Sequence, residues 1–316
     1  MIRIAVLGQP YWGTRIAQTL DTQAEDMHAT FVDQESYLRL LARPPRGDHV
    51  VLMRAGYRVG GTTPRGRLFD AYWSALRRAV PRSTGFHYWL GSDVMDTITE
   101  ARAGTLRLAA VAAARDDIHV ADGPWLIPEL AEVGFAAQDV HVPQPHLCPD
   151  VPPPLPSAFR VMTYLPGDRF EFYGGKIVLE AARRLPDVAF DIVGRTGPTP
   201  REATRNVAWH GWVSGMSAMY GRATVVVRIP QHDGLGATVV EGLLHARHVI
   251  YPYRVPFVRK IEPVTVTALF NQLKGLRDAH ASGTLGLNLD GRAYALTAYD
   301  EQHLAERLAV LIRSRL

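Results

Sequence analysis

Several features that define other protein classes are rare or missing in this chain of 316 residues. Cysteine occurs once, at Cys148, so no internal disulfide can form, and a lone cysteine fits a reducing compartment. No apolar run approaches the roughly 20 residues that a membrane span requires. The opening stretch MIRIAVLG is too short for a secretory signal. We therefore expect a cytoplasmic protein, and peripheral contact with a membrane surface stays open.

Lysine is also scarce, because only three of the 35 basic residues are lysines. The net charge is +4, and no dense basic run occurs, so nucleic acid is not an expected partner. Arginine suits the recognition of phosphate and carboxylate groups, which is compatible with an anionic ligand. The sequence contains no Cys/His cluster with metal spacing and no Asp-x-Asp motif at a suitable place. We expect neither a metal nor a cofactor.

Short apolar segments alternate with amphipathic ones along most of the chain. The apolar segments MIRIAVLG, MHATFVD and DHVVLMRAG predict strands in the first half, and FRVMTYLP, VAFDIVG and TVVVRIP predict strands in the second. Helical spacing separates most of them, for example in KIVLEAARRLP and ATVVEGLLHAR. Strands that alternate with helices predict an α/β protein with parallel sheets covered by helices on both faces.

A proline-rich segment divides the chain into two halves of similar size. Residues 142–156 contain seven prolines, a composition that excludes a helix or a central strand. The segment predicts a stiff, extended linker. We expect a Rossmann-like domain over 1–147, a linker over 148–156, a second Rossmann-like domain over 157–298 and a C-terminal helix over 299–316.

A nicotinamide-dependent oxidoreductase is one hypothesis for the first half. Gly8 and Gly13 lie between a strand and a helix, and Asp33 follows 20 residues later, which is the layout of a dinucleotide fingerprint. The middle glycine is absent, and bulky Tyr11 and Trp12 stand where the backbone must approach a pyrophosphate. The other interpretations are an ordinary first βα turn, or a cleft-lining loop that presents Tyr11, Trp12 and Gly13 to a substrate.

The stretch HDGLGATVVEGL, residues 232–243, places two acids around a glycine-rich helix start. Unsatisfied amides and the positive end of the helix dipole favour a diphosphate there. Gly234 and Gly236 allow the backbone to come close to it. Glu241 follows Asp233 by eight residues, about two helical turns, so the two carboxylates could hold both sugars of a nucleotide sugar.

This stretch resembles the acid-x7-Glu signature of the GT-B glycosyltransferases, especially the retaining glycosyltransferase family four. The family more often has Glu as the first acid, where this chain has the shorter Asp233. The resemblance implies that Glu241 binds the donor ribose and that Asp233 acts at the donor sugar. It also implies donor contacts from Gly234, Leu235 and Gly236.

Three further stretches resemble the family in the same order. YLPGDRFEFYGGK resembles the segment whose Arg and Lys steady the leaving diphosphate, which implies that role for Arg169 and Lys176. FHYWLGSDVM resembles the segment that faces the donor sugar, which implies a catalytic His87 and a cleft position for Asp93. NVAWHGWV resembles the nucleobase segment, which implies base contacts from Gly211, Trp212 and Val213.

The resemblance implies the GT-B fold, in which two Rossmann-like doubly wound domains face each other across a cleft and the C-terminal helix returns to the first domain. It implies a retaining, metal-independent transfer of a sugar from a UDP- or GDP-sugar by front-face displacement. The acceptor would be a sugar, a lipid or a small molecule. Another nucleotide-sugar enzyme of this fold, such as an epimerase or a phosphorylase, remains an alternative, as does the NAD-dependent oxidoreductase.

Overall fold

The computed structural model describes residues 1–195 and 204–316 and contains two compact units. Unit 1 consists of Met1–Pro145, His232–Leu235 and Tyr299–Leu316, and unit 2 consists of His146–Gln231 and Gly236–Ala298. The sequence places residues 232–235 within the second domain, whereas their contacts place them in unit 1. Each unit is built on a parallel sheet of six strands.

Unit 1 has strands on both sides of its first strand. The strands are β1 (Ile2–Gly8), β2 (Met27–Phe31), β3 (Val50–Ala55), β4 (Thr84–Trp89), β5 (Ile118–Ala121) and β6 (Ala137–Asp139), in the spatial order β2-β1-β3-β4-β5-β6. The helices are α1 (Pro10–Gln23), α2 (Tyr37–Ala42), α3 (Pro64–Ala79), α4 (Ser92–Arg102), α5 (Leu108–Ala114) and α6 (Leu126–Glu132). The strand order reverses between β1 and β3.

The core of unit 1 lies on both faces of this sheet, as the alternation of side chains along a strand requires. Ile4 and Val6 of β1 join a cluster with α1 and with the C-terminal helix Glu301–Arg313. Ala5 and Leu7 point to the other face and join a cluster with α3. The last helix of the chain therefore completes the core around the first strand.

Unit 2 carries the strand order of the nucleotide-binding Rossmann domains. The strands are β7 (Arg160–Tyr164), β8 (Ala189–Val193), β9 (Val207–Trp209), β10 (Val225–Val227), β11 (His248–Tyr251) and β12 (Arg259–Lys260), in the order β12-β11-β10-β7-β8-β9. The helices of unit 2 are α7 (Gly175–Arg184), α8 (Met216–Gly221), α9 (Ala237–Leu244), α10 (Val266–Ala281) and α11 (Leu289–Ala298). The last helix of the chain, α12 (Glu301–Arg313), belongs to unit 1. The order reverses between β7 and β10.

The predicted α/β class is confirmed by these two parallel sheets. The core of unit 2 packs α7 and α10 against β7 and β8, through residues such as Val178, Leu269 and Phe190. Residues 142–156 contain neither helix nor strand, as their prolines require. The exact domain boundaries and the linker limits of 148–156 stay predictions.

Candidate functional site

The reversal of strand order in unit 2 marks the place where open parallel sheets bind ligands, outside the carboxyl ends of the strands. The loops that follow β7 and β10 contact each other there. The amide of Gln231 donates to the carbonyl of Phe172 at 2.8 Å. A Cβ on Gly174 would lie 2.8 Å from the carbonyl oxygen of Ile229, so a side chain at residue 174 would collide with the second loop. We call this region, with the start of α9, the switch-point edge.

Two arginines flank one aromatic ring at the switch-point edge. The guanidinium carbon of Arg228 lies 5.1 Å from the centroid of the Tyr173 ring, and that of Arg169 lies 5.7 Å from it. Arg169 also lies 4.0 Å from the ring of Phe172. The predicted phosphate residue Arg169 and Arg228 therefore contact the same aromatic ring.

Lys176 begins the first turn of α7, directly after the loop that carries Arg169. Its side chain is 73% exposed, and its Nζ pairs with Glu171 Oε1 at 2.5 Å. An exposed ion pair contributes little to stability, so the ammonium can exchange Glu171 for another anion at small cost. The phosphate role of Lys176 stays a prediction.

Gly236, the glycine at the start of α9, is required by the close approach of Arg228. It is the N-cap residue of the helix, and as a glycine it has no side chain that could cap the amides of the first turn. A Cβ on Gly236 would lie 2.1 Å from Nε of Arg228. The glycine therefore lets a guanidinium lie against the positive end of an eight-residue helix, and together they provide positive potential for an anion.

Glu241 lies in the second turn of α9 and is held by two donors. The Tyr220 hydroxyl donates to Oε2 at 2.7 Å, and the Leu147 amide donates to Oε1 at 3.2 Å. The half-buried carboxylate therefore has a fixed orientation in unit 2. The predicted ribose role of Glu241 agrees with a fixed acceptor at the switch-point edge, but no ribose contact has been tested.

The predicted nucleobase residues follow the neighbouring strands β8 and β9. Gly211 has a φ of +65°, which favours glycine, and its carbonyl accepts from the amide of Gly194 at 2.7 Å. This bond joins the turns that follow the two strands. Trp212 is 72% exposed, and Val213 is half-buried. Base contacts from residues 211–213 stay a prediction.

The other half of the motif, His232–Leu235, packs on the carboxyl edge of the sheet in unit 1. His232 Nε2 lies 2.7 Å from Glu129 Oε2, and the carbonyl of Asp233 accepts from Trp125 Nε1 at 2.8 Å. The family resemblance implies a catalytic role for Asp233 at the donor sugar and donor contacts from Gly234, Leu235, Gly236 and Glu241. By their contacts, Asp233, Gly234 and Leu235 belong to unit 1, whereas Gly236 and Glu241 belong to unit 2.

Gly234 is required by a close backbone approach. A Cβ there would lie 2.6 Å from the carbonyl oxygen of Leu90 and 2.7 Å from Oδ2 of Asp122. The amide of Leu235 donates to the carbonyl of Asp122 at 2.9 Å. Leu90 follows β4 and Asp122 follows β5, so the segment crosses the ends of two adjacent strands. Diphosphate contacts from Gly234 and Leu235 stay predictions.

A buried Asp–His pair lies at the same edge and is not predicted by the sequence. His141 Nδ1 lies 2.6 Å from Asp122 Oδ1, which also accepts from the amide of Val142 at 2.9 Å. Burial raises the pKa of Asp122, and the neighbouring His141 opposes that shift. Asp122 directly follows β5 and His141 lies two residues after the end of β6, and a polar residue at the end of a strand is a signal that sequence reasoning could have used.

Asp93 lies in the first turn of α4 and is buried. Its Oδ1 accepts from the amides of Leu90 at 2.9 Å and Val94 at 3.1 Å. Burial raises the pKa of Asp93 to about 7, although these hydrogen bonds favour the ionised form. The carboxylate closes the turn after β4 and holds a proton near neutral pH. Its predicted position in a cleft is not tested by these contacts.

His87 is a buried residue of β4 in unit 1. It is 0% exposed, and its ring stacks on Trp89 with 3.6 Å between the centroids. Burial lowers the pKa of His87 well below its usual value, so the imidazole is neutral. The imidazole is shielded from solvent in this conformation, and the catalytic role of His87 stays a prediction.

The loop after β1 lies at the strand-order reversal of unit 1. Gly8 has a φ of +124°, and a Cβ on it would lie 2.1 Å from the carbonyl oxygen of Ala55 in β3. A Cβ on Gly13 would lie 2.6 Å from the ring of Phe31. Tyr11 is exposed, while Trp12 packs against the core. Both glycines are therefore explained by packing, and the substrate role of residues 11–13 stays a prediction.

Within residues 1–195 and 204–316, no group of three His, Cys, Asp or Glu side chains is arranged to hold a metal ion. No helix in that same part of the chain has both the length and the apolar character to cross a membrane.

Comparison with known proteins gives structural matches only. No family model and no curated protein matches the sequence. HepE (Alr3699) of Anabaena, solved with UDP and glucose, aligns over 99% of this chain and 100% of its own, with a TM-score of 0.69 and 12% identity. The chain has the GT-B fold. The predicted fold is therefore confirmed, although so low an identity shows the fold alone.

Two further structures show how widely this fold is shared. Sucrose-phosphate synthase of Thermosynechococcus elongatus aligns over 99% of both chains, with a TM-score of 0.62 and 14% identity. TarM of S. aureus, solved with UDP, Fondaparinux and α-GlcNAc-glycerol, aligns over 87% of this chain, with a TM-score of 0.61 and 11% identity. This chain spans 58% of the length of that TarM chain.

Proposed function

We propose that this protein is a glycosyltransferase that takes a sugar from a nucleotide-sugar donor, with UDP-sugars as the first candidates. The observation that carries the proposal is the set of groups at the switch-point edge. Arg228 and the start of α9 offer positive potential, and Glu241 is held as a fixed acceptor. These groups suit a diphosphate and a ribose. UDP is the nucleotide bound in the HepE and TarM structures, which favours UDP over GDP.

The proposed chemistry is a retaining, front-face displacement of the nucleoside diphosphate, as the family resemblance implies. The leaving group gains negative charge as the glycosidic bond breaks. Fixed positive groups that face this charge lower the barrier without reorganising. Arg228, Arg169 and the α9 terminus would supply that stabilisation, together with Lys176 once it leaves Glu171. The proposal requires no metal for this step.

Unit 1 is the proposed acceptor side. Its own strand-order reversal lies beside Tyr11 and Trp12, and its carboxyl edge carries Asp122 and His141. The proposed acceptor is a sugar, a lipid or a small molecule. An epimerase or a phosphorylase would use the same donor contacts. Donor consumption that depends on an added acceptor separates a transferase from an epimerase.

The test of the proposed function is nucleotide binding by Glu241→Ala. We expect UDP to bind the wild-type protein, and the Kd to rise by roughly 10- to 100-fold in the variant, because a charged acceptor of ribose hydroxyls is removed. Isothermal titration with UDP, GDP, ADP and dTDP, each with and without EDTA, measures this change. Glu262→Ala is the matched control, since Glu262 is an exposed glutamate of unit 2 that pairs with Lys260. Equal UDP affinity in wild type and Glu241→Ala would falsify the assignment.

A further inference from the structure

Tyr220 is buried beneath Glu241 and is not among the residues that the motif predicts. Its side chain is 0% exposed, and its ring lies 4.9 Å from the ring of His245. His245 Nδ1 lies 2.7 Å from the carbonyl oxygen of Glu241, and its Nε2 lies 2.9 Å from the hydroxyl of Ser217. Because α8 and α9 are linked through these contacts, the Tyr220 hydroxyl has one fixed position relative to Glu241.

The hydroxyl of Tyr220 acts as a permanent donor to the carboxylate. Burial, and then the charge of Glu241, raise the pKa of Tyr220 well above its usual value. The phenol therefore keeps its proton at any physiological pH. A hydrogen bond to an ionised carboxylate is shorter and stronger than a neutral one, which agrees with the 2.7 Å between the two oxygens.

A free glutamate side chain would have to be ordered when a ligand binds. Ordering a long, flexible side chain such as Glu costs rotamer entropy. Tyr220 on one oxygen and the Leu147 amide on the other remove most of this cost before the ligand arrives. Since each carboxylate oxygen carries two lone pairs, an oxygen that accepts from the protein can also accept from a ligand hydroxyl.

We infer that Tyr220 is a positioning residue, which holds the Glu241 carboxylate where it accepts the two vicinal hydroxyls of a donor ribose. Through Glu241 it sets the preference of the site for nucleotides that carry both hydroxyls. The inference rests on the proposed function and adds to it a residue that touches no substrate itself.

The experiment compares UDP with 2′,3′-dideoxyuridine diphosphate, which lacks both hydroxyls, on wild type and Tyr220→Phe. We expect the Kd for UDP to rise about 5- to 30-fold in the variant, as one charge-assisted hydrogen bond is lost. The Kd for the dideoxy analogue should change by less than about twofold, because that ligand gains nothing from Glu241. In a Glu241→Ala background, Tyr220→Phe should cause no further loss of UDP affinity.

Tyr72→Phe is the matched control. Tyr72 is a buried tyrosine of unit 1 whose hydroxyl donates to the carbonyl of Tyr37 at 2.8 Å, so its loss should leave both affinities unchanged. Equal weakening of both ligands by Tyr220→Phe would show a merely structural role and overturn the inference. Unchanged UDP affinity would overturn it as well. A wild-type protein that binds no nucleoside diphosphate would overturn the proposed function along with it.

Discussion

Asp93 is a single residue whose burial has a measurable consequence for stability. One carboxylate oxygen accepts two backbone amides, while Oδ2 has no hydrogen-bond partner among the described residues. Because burial raises the pKa of Asp93 to about 7 from an ordinary value of 3.8, the folded state binds this proton more tightly than the unfolded state. Its contribution to stability is present below pH 4 and is lost as the pH rises towards 7.

Asp93→Asn tests this linkage. Asparagine keeps the oxygen that accepts from Leu90 and Val94 but cannot ionise. We expect the free energy of unfolding of wild type, minus that of the variant, to fall between pH 4 and pH 7 by up to about 1.4 kcal/mol per pH unit. Above pH 7 the difference should stay constant. Urea unfolding at a series of pH values measures it, and a difference that is flat from pH 4 to pH 7 would contradict the raised pKa.

The sequence predicts some residues of the candidate site but not the residues that hold them. The spacing of HDGLGATVVEGL singles out Gly236 and Glu241, because a helix start and its second turn have fixed geometry. Nothing in MSAMYGRA distinguishes Tyr220 from a core aromatic, since its partner lies 21 residues away in sequence. The burial of His87 is not predicted either, because a polar residue in a strand gives no sign of whether it faces solvent or the core.

Helix α1 shows how an element depends on one glycine. A Cβ on Gly13 would lie 2.6 Å from two ring carbons of Phe31, so the helix could not approach β2 as closely. We expect Gly13→Ala to lower the free energy of unfolding by about 1 to 3 kcal/mol through overpacking, measured by urea unfolding. Gly275→Ala is the control, because Gly275 lies inside α10 with no atom near a new Cβ.

Gly275→Ala should instead raise stability by up to about 1 kcal/mol, since alanine is the better helix former. If both substitutions changed stability in the same direction, close packing would not be the reason for the glycine at residue 13.

At the scale of elements, the alternation of apolar and amphipathic segments predicts the long strands and helices. It fails for short edge strands. β6 and β12 contain three and two residues, with the sequences AQD and RK, and their side chains are mostly exposed. β6 forms by pairing with β5, and β12 forms by pairing with β11. Neither of the two sequences has an apolar pattern that would predict a strand. Helix α2, with six residues and none buried, is not predicted either.

The whole molecule depends on its last helix, because α12 closes the core around β1. Leu308 is fully buried in that core, whereas Val310 on the same helix is exposed. We expect Leu308→Ala to cost about 2 to 5 kcal/mol and to lower the Tm of unit 1. Val310→Ala should change stability by less than about 0.5 kcal/mol. Thermal unfolding followed by circular dichroism compares the two variants, and similar Tm values would exclude α12 from the core.

The division of unit 1 into three chain segments has a consequence for biosynthesis. Unit 2 consists of residues 146–298 without 232–235, which belong to unit 1. Its sheet can therefore form before residues 299–316 have been synthesised. Unit 1 contains Met1–Pro145, which precede unit 2 in the chain, yet it needs 232–235 at its carboxyl edge and Tyr299–Leu316 in its core. The half that is synthesised first is therefore the half that finishes folding last. Until α12 has been synthesised, the apolar surface of β1 and α1 that contacts α12 is not covered, and in that interval the chain is exposed to aggregation and to chaperones.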